Sequence, residues 1–210
     1  MKNKTLHVGL SLTEEQKKDS NIVHCPLIEI VPVSQEELEP VDLDRISYVI
    51  FTSKTAVELW CRYFGAESLQ AKILISVGRA TSRQLKGKGL HVDYTAEEES
   101  AEGVVKILDE ICLAGTVVLW PHAAGARKVI ADYCRERNII LVERILYYTL
   151  TRKPENVPDL EVFDKIYFSS PSSVEAFFAL FPHPPPHLSF EAIGPVTEKK
   201  IWSAKALPSL

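Results

Sequence analysis

The 210-residue chain has few of the features that would assign it to a specialised class. It has four cysteines, Cys25, Cys61, Cys112 and Cys134, and no two of them stand at C-x-x-C or zinc-ligand spacing. Such scattered thiols read as reduced, mostly buried residues of a cytoplasmic protein. There is no long apolar run. The richest stretch, Ile111 to Pro121, is broken by Gly115 and Thr116 and is too short to span a bilayer. Lys2 and Lys4 are not followed by an apolar segment, which argues against a secretory signal. Positive charge is not in excess. With 24 Lys and Arg against 28 Asp and Glu the formal net charge is -4, so the chain is not coated for nucleic acid. Neither G-x-G-x-x-G nor a Walker A loop occurs, and neither G-x-S-x-G nor H-E-x-x-H. His183 and His187 are four apart, but three prolines between them exclude pairing on a helix, and His91 and His122 read as isolated surface or loop residues. Covalent catalysis and metal hydrolysis are left without a sequence feature to carry them. No cofactor, metal, nucleic acid or membrane partner is expected.

What is present is an ordinary globular mixture, 46% hydrophobic and 25% charged, in which strand and helix patterns alternate. Thr5 to Leu10 reads as a first strand, followed by a polar, weakly amphipathic segment from Thr13 to Ser20. Ile22 to Val33 is β-branched but interrupted by Pro26 and Pro32. ISYVIFT, Ile46 to Thr52, is nearly continuous in apolar residues, as suits a strand covered on both faces in a parallel sheet. Further strands are expected at Ile73 to Val77, Leu90 to Tyr94, Thr116 to Trp120, Ile139 to Val142, Ile145 to Leu150, Lys165 to Phe168 and Phe190 to Ile193. Helices are expected at Lys54 to Phe64, at Thr81 to Leu85, after a Ser100 cap, at Ala123 to Arg137, at Pro171 to Leu180 and from Thr197. The alternation predicts an α/β architecture with largely parallel sheets flanked by helices.

The chain also repeats itself. IFTSKTAVELW from Ile50 resembles YFSSPSSVEAF from Tyr167, at an offset of 117 residues. VGRAT from Val77 resembles IGPVT from Ile193, at an offset of 116. Asn21-Ile22-Val23 and Asn138-Ile139-Ile140 are again 117 apart. Blocks in constant order at near-constant offset predict a two-fold duplication, hence two similar domains.

Each copy carries the same local design. An apolar strand ends in a hydroxyl pair, Thr52-Ser53 or Ser169-Ser170, and a helix follows at once. Pro171 suits the first helical position and makes Ser170 the N-cap; Ser53 is its counterpart. Thr55 with Glu58, and Ser172 with Glu175, offer capping boxes a turn later. Gly78 and Gly194 give the second strand-to-helix turn, with Thr81 and Thr197 near the helix starts. These hydroxyls can simply cap helices. They also stand at the carboxyl ends of parallel strands, where ligands of open α/β sheets bind, beside helix amides that favour anions. Four such clusters could hold a large ligand carrying several carboxylates.

These motifs in this order resemble the uroporphyrinogen-III synthase family. FTSKTAV (Phe51 to Val57) resembles its F-T-S-x-N-A-V segment and VGRAT (Val77 to Thr81) its V-G-x-A-T segment. LYYT (Leu146 to Thr149) resembles its central v-Y-x-T strand, FSSPSSV (Phe168 to Val174) its F-x-S-P-S-x-V segment, and AIGPVT (Ala192 to Thr197) its a-I-G-P-x-T segment. The chain departs from the pattern at GLSLTEE, where Arg-Pro is usual, at His122, where arginine is common, and at Thr55, where asparagine is usual. Arg127 is retained.

The resemblance implies two similar α/β domains joined by two extended linkers. Residues 1–25 with 151–210 would form a discontinuous domain, 34–142 an inserted one, and 26–33 and 143–150 the linkers. It implies closure of hydroxymethylbilane, a linear tetrapyrrole, into uroporphyrinogen III with inversion of ring D and loss of water, by a monomer without cofactor or metal. Transient contact with the enzyme that makes hydroxymethylbilane is consistent with it. Tyr147 aligns with the family tyrosine that assists departure of the hydroxyl, and the adjacent Tyr148 would exchange roles with it on a shift of one residue. Ser53, Gly78, Thr81, Arg127, Ser169, Ser170, Gly194 and Thr197 would meet the substrate's acetate and propionate groups. Arg127, on an expected helix, also reads as ordinary surface. A non-catalytic two-lobed binder of a polyanionic small molecule fits the same residues.

Overall fold

The computed structural model describes residues 4–111 and 115–206, so Cys112 and the next two residues of the Ile111 to Pro121 stretch lie outside the described residues. In chain order the elements are β1 (Thr5–Val8), α1 (Glu14–Lys18), β2 (Ile22–His24), β3 (Ile28–Pro32), β4 (Tyr48–Phe51), α2 (Lys54–Phe64), β5 (Ile73–Ser76), α3 (Arg79–Gly87), β6 (Tyr94–Thr95) and α4 (Ala101–Glu110). There follow β7 (Val117–Ala123), α5 (Val129–Glu136), β8 (Ile140–Thr151), β9 (Lys165–Phe168), α6 (Pro171–Leu180), β10 (Ser189–Ala192) and α7 (Pro195–Lys205). The chain divides into two compact units, Met1–Ile30 with Thr149–Leu210, and Val31–Tyr148.

The first unit is built on a parallel sheet of order β10-β9-β1-β2. Period-two alternation sends Leu6, Val8, Ile166 and Phe168 to one face, where they are buried with Val174 and Phe177 of α6 and Ile201 of α7. The Phe168 and Phe177 rings meet edge to face at 5.3 Å. His7 and Tyr167 take the opposite face, where their rings stack at 5.1 Å.

The second unit has six strands in the order β3-β8-β7-β4-β5-β6, with parallel pairing from β8 through to β6. Ile50, Ile75, Val118 and Trp120 pack against Val104 and Leu108 of α4 and Ile130 and Cys134 of α5. The alternate positions Val49, Phe51, Leu74 and Leu119 are buried as well, and α2 and α3 bury Val57, Trp60 and Leu85. Strands that are apolar at every position are thereby covered on both faces. The order β5-β4-β7-β8 matches β10-β9-β1-β2 strand for strand, with α2 and α3 placed in sequence as α6 and α7 are. The duplication read from motifs is therefore also a duplication of topology.

Local chemistry sets the helix starts. Ser53, Ser100 and Ser170 sit in extended backbone, and each Oγ accepts the amide three residues on, from Ala56 at 3.0 Å, Gly103 at 3.1 Å and Ser173 at 3.1 Å. The capping box of α6 is closed by Ser173, whose Oγ accepts the Ser170 amide at 3.2 Å, so the box expected from Ser172 with Glu175 does not form. Helices α3 and α7 begin at Arg79 and Pro195, two residues before the threonines expected to open them, because Gly78 and Gly194 are themselves the N-caps.

Three expectations are corrected. The strand expected at Leu90 to Tyr94 contracts to the two residues of β6, since the Asp93 side chain takes the Leu74 amide at 2.8 Å in place of a ladder carbonyl. The helix expected from Ala123 starts only at Val129, because β7 stays paired with β8 through Ala123. Arg127 therefore lies in the connecting loop rather than on a helix. His122 is not a surface or loop residue but a buried strand residue stacked on Trp120 at 4.1 Å.

Arg127 forks onto Glu102 of α4 through bonds of 2.5 and 2.7 Å. The guanidinium holds the Glu102 carboxyl down to about 2 from an ordinary 4.5. A carboxylate depressed in the fold stabilises it above the unfolded value and loses that stabilisation on acidification. The native protein is thus expected to lose stability relative to Glu102→Gln as pH falls from about 4.5 toward 2; parallel denaturant midpoints for the two proteins would contradict this. Gly103, inside α4, faces the backbone carbonyl of Glu98, and a Cβ there would collide with it. Alanine ordinarily improves a helix interior by about 1 kcal/mol, while forced overpacking costs about 1–3 kcal/mol. Gly103→Ala is expected to lower Tm by about 2–4 °C in a calorimetric scan, and an unchanged or higher Tm would reject the close packing.

Candidate functional site

At the carboxyl end of β4 the chain turns through Thr52 and Ser53 into α2. Thr52 Oγ1 accepts the indole N–H of Trp120 at 3.2 Å, tying the turn to β7. Ser53, with φ -157° and ψ 151°, caps α2. Its hydroxyl also meets the hydroxyl of Tyr147, Oγ to Oη 2.8 Å. Tyr147 is 6% exposed. Burial pushes its phenol above the usual tyrosine range, and hydrogen bonds from the Ser53 and Thr55 hydroxyls pull it partly back. The phenol is thus a neutral proton donor at neutral pH, with hydroxyls beside its oxygen.

A slip in register aims this tyrosine. Along β7 and β8, His122 pairs with Ile145, but the next residue, Ala123, pairs with Tyr147. The extra residue on β8 is a bulge, and it turns Tyr147 to the face opposite Ile145. Tyr148 is 47% exposed and borders a groove with Ile145 and His122. Sequence alone leaves the two tyrosines exchangeable; the bulge sends only Tyr147 to Ser53.

The second cluster of this unit surrounds the start of α3. Gly78 is extended, with φ 171°, and Thr81 is buried in the first turn. The Arg79 amide donates to Glu99 Oε1 at 3.1 Å, so a carboxylate already occupies this helix start. Arg127, also in this unit, is engaged by Glu102 as described above.

In the first unit Ser169 and Ser170 stand at the carboxyl end of β9. Gly9 at the end of β1 lies so close that a Cβ would collide with the Ser169 hydroxyl, which is why a side chain is absent there. Gly194 caps α7, and Thr197 is buried in its first turn. The two copies thus repeat the same strand-end pattern, each within its own unit.

Sequence reasoning misses the partners of these residues. Thr55 reads in sequence as a capping alternative and as a departure from the usual asparagine, whereas its hydroxyl serves the Tyr147 phenol. Glu99 is an anonymous member of an acidic run. His7 is buried, with its ring lowered in basicity by burial and by His24, and it carries no local motif that would mark it. Among the described residues no cluster of three or more His, Cys, Asp or Glu could hold a metal, and no helix is long and apolar enough to cross a membrane.

Comparison with known proteins bears on the same residues. The sequence model of the family described as uroporphyrinogen-III synthase HemD matches residues 12–206. A protein of Methanothermobacter thermautotrophicus, provisionally named a uroporphyrinogen-III synthase, is 27% identical over 198 residues, 84% of this chain and 78% of its own length. The porphyrin biosynthesis protein HemD of Ruminiclostridium josui is 29% identical over 170 residues, 75% of this chain but 34% of its own length, so the chain spans about a third of that relative. Among solved structures, uroporphyrinogen-III synthetase of Helicobacter pylori has the same fold with a TM-score of 0.68 at 15% identity, over 99% of this chain and 91% of that one. A mutant uroporphyrinogen-III synthase of Thermus thermophilus gives 0.66 at 16%, over 98% and 90%. With the ordered motifs, the duplicated topology and a family match across nearly its whole length, the chain belongs to the uroporphyrinogen-III synthase family, the cyclising lyases of tetrapyrrole biosynthesis.

Proposed function

We propose that this chain closes hydroxymethylbilane into uroporphyrinogen III, with Tyr147 as the group that assists departure of the terminal hydroxyl. The observation that carries the reading is the buried Tyr147 phenol held at 2.8 Å from the Ser53 hydroxyl at the start of α2. The carbon–oxygen bond to the hydroxyl breaks as the phenol gives it a hydrogen bond or proton, and water leaves. The azafulvene that remains is attacked by the substituted end of ring D. The resulting spiro-type intermediate fragments and recloses with ring D inverted, and the proton lost on rearomatisation balances the one given to the leaving group. The substrate supplies the reactivity, so positioning its two ends contributes more than a strong nucleophile would. Ser53 and Thr55 donating toward the phenol oxygen would stabilise the charge that develops there as its proton is drawn away.

The substrate carboxylates would be met by Ser53, Thr81, Ser169, Ser170 and Thr197 and by amides near Gly78 and Gly194. Glu99 on the Arg79 amide supports this, because it places a carboxylate at that kind of position. Arg127 would add positive charge from its loop only on leaving the Glu102 carboxylate that neutralises it in this structure. The reading includes a monomer in the cytoplasm, acting without cofactor, that receives the linear tetrapyrrole from the enzyme that makes it.

Incubation of the purified protein with hydroxymethylbilane, followed by separation of the uroporphyrinogen isomers, is expected to give isomer III. Isomer I alone, the spontaneous product, would reject catalysis, and binding without isomer III would favour the non-catalytic binder. Tyr147→Phe is expected to lower kcat by about 100-fold, the scale of a lost general acid, while Tyr148→Phe leaves it within about twofold; equal, small effects would remove Tyr147 from the role. Ser53→Ala is expected to slow closure by about tenfold and to lower stability by about 1 kcal/mol through the lost cap, whereas Ser53→Thr keeps both. A stability loss with no change in kcat would leave Ser53 as a cap only.

A further inference from the structure

Three rings stand in a row across the first unit. His7 of β1 is in register with His24 of β2 on one side and with Tyr167 of β9 on the other. The His7 ring is buried, stacks on Tyr167 at 5.1 Å and meets His24 edge to face at 5.8 Å. Two residues further along, at the carboxyl end of the sheet, stand Gly9 after β1 and Ser169 after β9. A Cβ at position 9 would collide with Ser169 Oγ and lie 2.9 Å from His7 Cε1. The serine hydroxyl therefore sits in the place that a side chain at position 9 would take, and the His7 ring packs beneath that place.

His24 fixes the backbone that forms this seat. Its Nε2 lies 2.8 Å from the Gly9 carbonyl oxygen. A carbonyl only accepts, so this nitrogen donates, in the neutral ring and in the charged one alike. On the other side the Ser169 amide donates to the Val8 carbonyl at 3.3 Å. The end of β1 is thus bonded both to β2, through His24, and to the turn that carries Ser169.

The hydroxyl at the end of these contacts is uncommitted. Among the described residues Ser169 Oγ makes no hydrogen bond, and it is not shut off from solvent. The other members of the two hydroxyl pairs are engaged: Thr52 by the Trp120 indole, Ser53 by the Ala56 amide and Tyr147, Ser170 by the Ser173 amide.

We propose that His24 is a positioning residue for substrate binding in the first unit. Through the Gly9 carbonyl it holds the seat of the Ser169 hydroxyl, and so sets where that hydroxyl is presented to a substrate carboxylate. This rests on the proposed function, in which Ser169 meets such a carboxylate. A donor placed in advance needs no ordering when the ligand arrives, so its hydrogen bond contributes more to binding. His24 acts only through Gly9, which confines its effect to binding and leaves the chemical step to Tyr147.

The test compares His24→Phe, which keeps a ring but loses the donor, with His24→Gln, whose amide N–H can reach the same carbonyl. In the isomer III assay His24→Phe is expected to raise KM for hydroxymethylbilane about tenfold with kcat within about twofold, the scale of one charge-assisted hydrogen bond. His24→Gln is expected to stay near the native KM. Gly9→Ala, which pushes the hydroxyl from its seat, is expected to raise KM as His24→Phe does, and it carries the test if the ring variant fails to fold. On a Ser169→Ala background His24→Phe is expected to add nothing to KM, because the group it positions is gone. The proposal is overturned if His24→Phe or Gly9→Ala folds and keeps the native KM, if the glutamine variant is as impaired as the phenylalanine one, or if the effect of His24→Phe persists in full without the Ser169 hydroxyl. Deuterium exchange of the ligand-free full chain separates this from the proposed function. The Ser169 amide is expected to exchange about tenfold faster in His24→Phe than in the native chain or His24→Gln, against an unchanged Ile166 amide; equal rates at Ser169 overturn the positioning role. Should the native chain give no isomer III, the proposed function falls and the exchange rates alone decide the role of His24.

Discussion

Ser53 Oγ accepts the Ala56 amide at 3.0 Å and meets the Tyr147 hydroxyl at 2.8 Å, so one atom both starts helix α2 and holds the phenol. Each half constrains the other. The cap requires Ser53 to be extended at the end of β4, which puts its side chain above the strand ends. The phenol can reach that place only because β8 carries one extra residue opposite β7. With a regular pairing Tyr147 would turn away and Tyr148 would take its place. The bulge therefore does as much for the site as the identity of the tyrosine.

Features set by near neighbours in sequence are legible in the sequence itself. Ser53, Ser100 and Ser170 are caps because a short hydroxyl before a helical pattern has one low-energy use, within three residues of itself. The parallel α/β architecture was legible in ISYVIFT and its kin, since a strand without polar positions has to be covered twice. Features set across the sheet were not legible. His122 looked like a loop residue because what buries it, the Trp120 ring and the β8 partner, is invisible from HAAGAR. The helix expected from Ala123 failed for the same reason: pairing with Ile145 and Tyr147 kept the chain extended past the point where local pattern favours a helix. The choice between Tyr147 and Tyr148 rested on a bulge that no residue in LYYT announces.

The duplication ties these observations together. Both units keep the same order of four parallel strands, and both put a hydroxyl pair after one strand and a glycine after its neighbour. They differ in what was added. The second unit has α4 and β6 besides, and its β8, the counterpart of β2, carries the bulge that brings a tyrosine to Ser53. The first unit keeps the bare pattern, with Gly9 pressed against Ser169. The strand-end pattern is thus present twice, and in the second unit a tyrosine hydroxyl stands beside it.

An enzyme that closes a reactive substrate has to avoid groups that would trap the intermediate. A strong nucleophile beside an azafulvene would be alkylated by it, and an exposed strong acid would hasten the unguided closure. The Tyr147 environment is suited to that restriction. Its phenol is raised above the ordinary tyrosine range by burial, and in the proposed role Ser53 and Thr55 would share the charge as its proton is drawn away. Among the described residues the thiols are kept from the same chemistry by burial, which raises Cys25 and Cys61 and pushes Cys134 up to about 11, leaving little thiolate at neutral pH. Mild donors at strand ends, rather than one powerful group, are what a folded and polyanionic substrate of this reactivity requires.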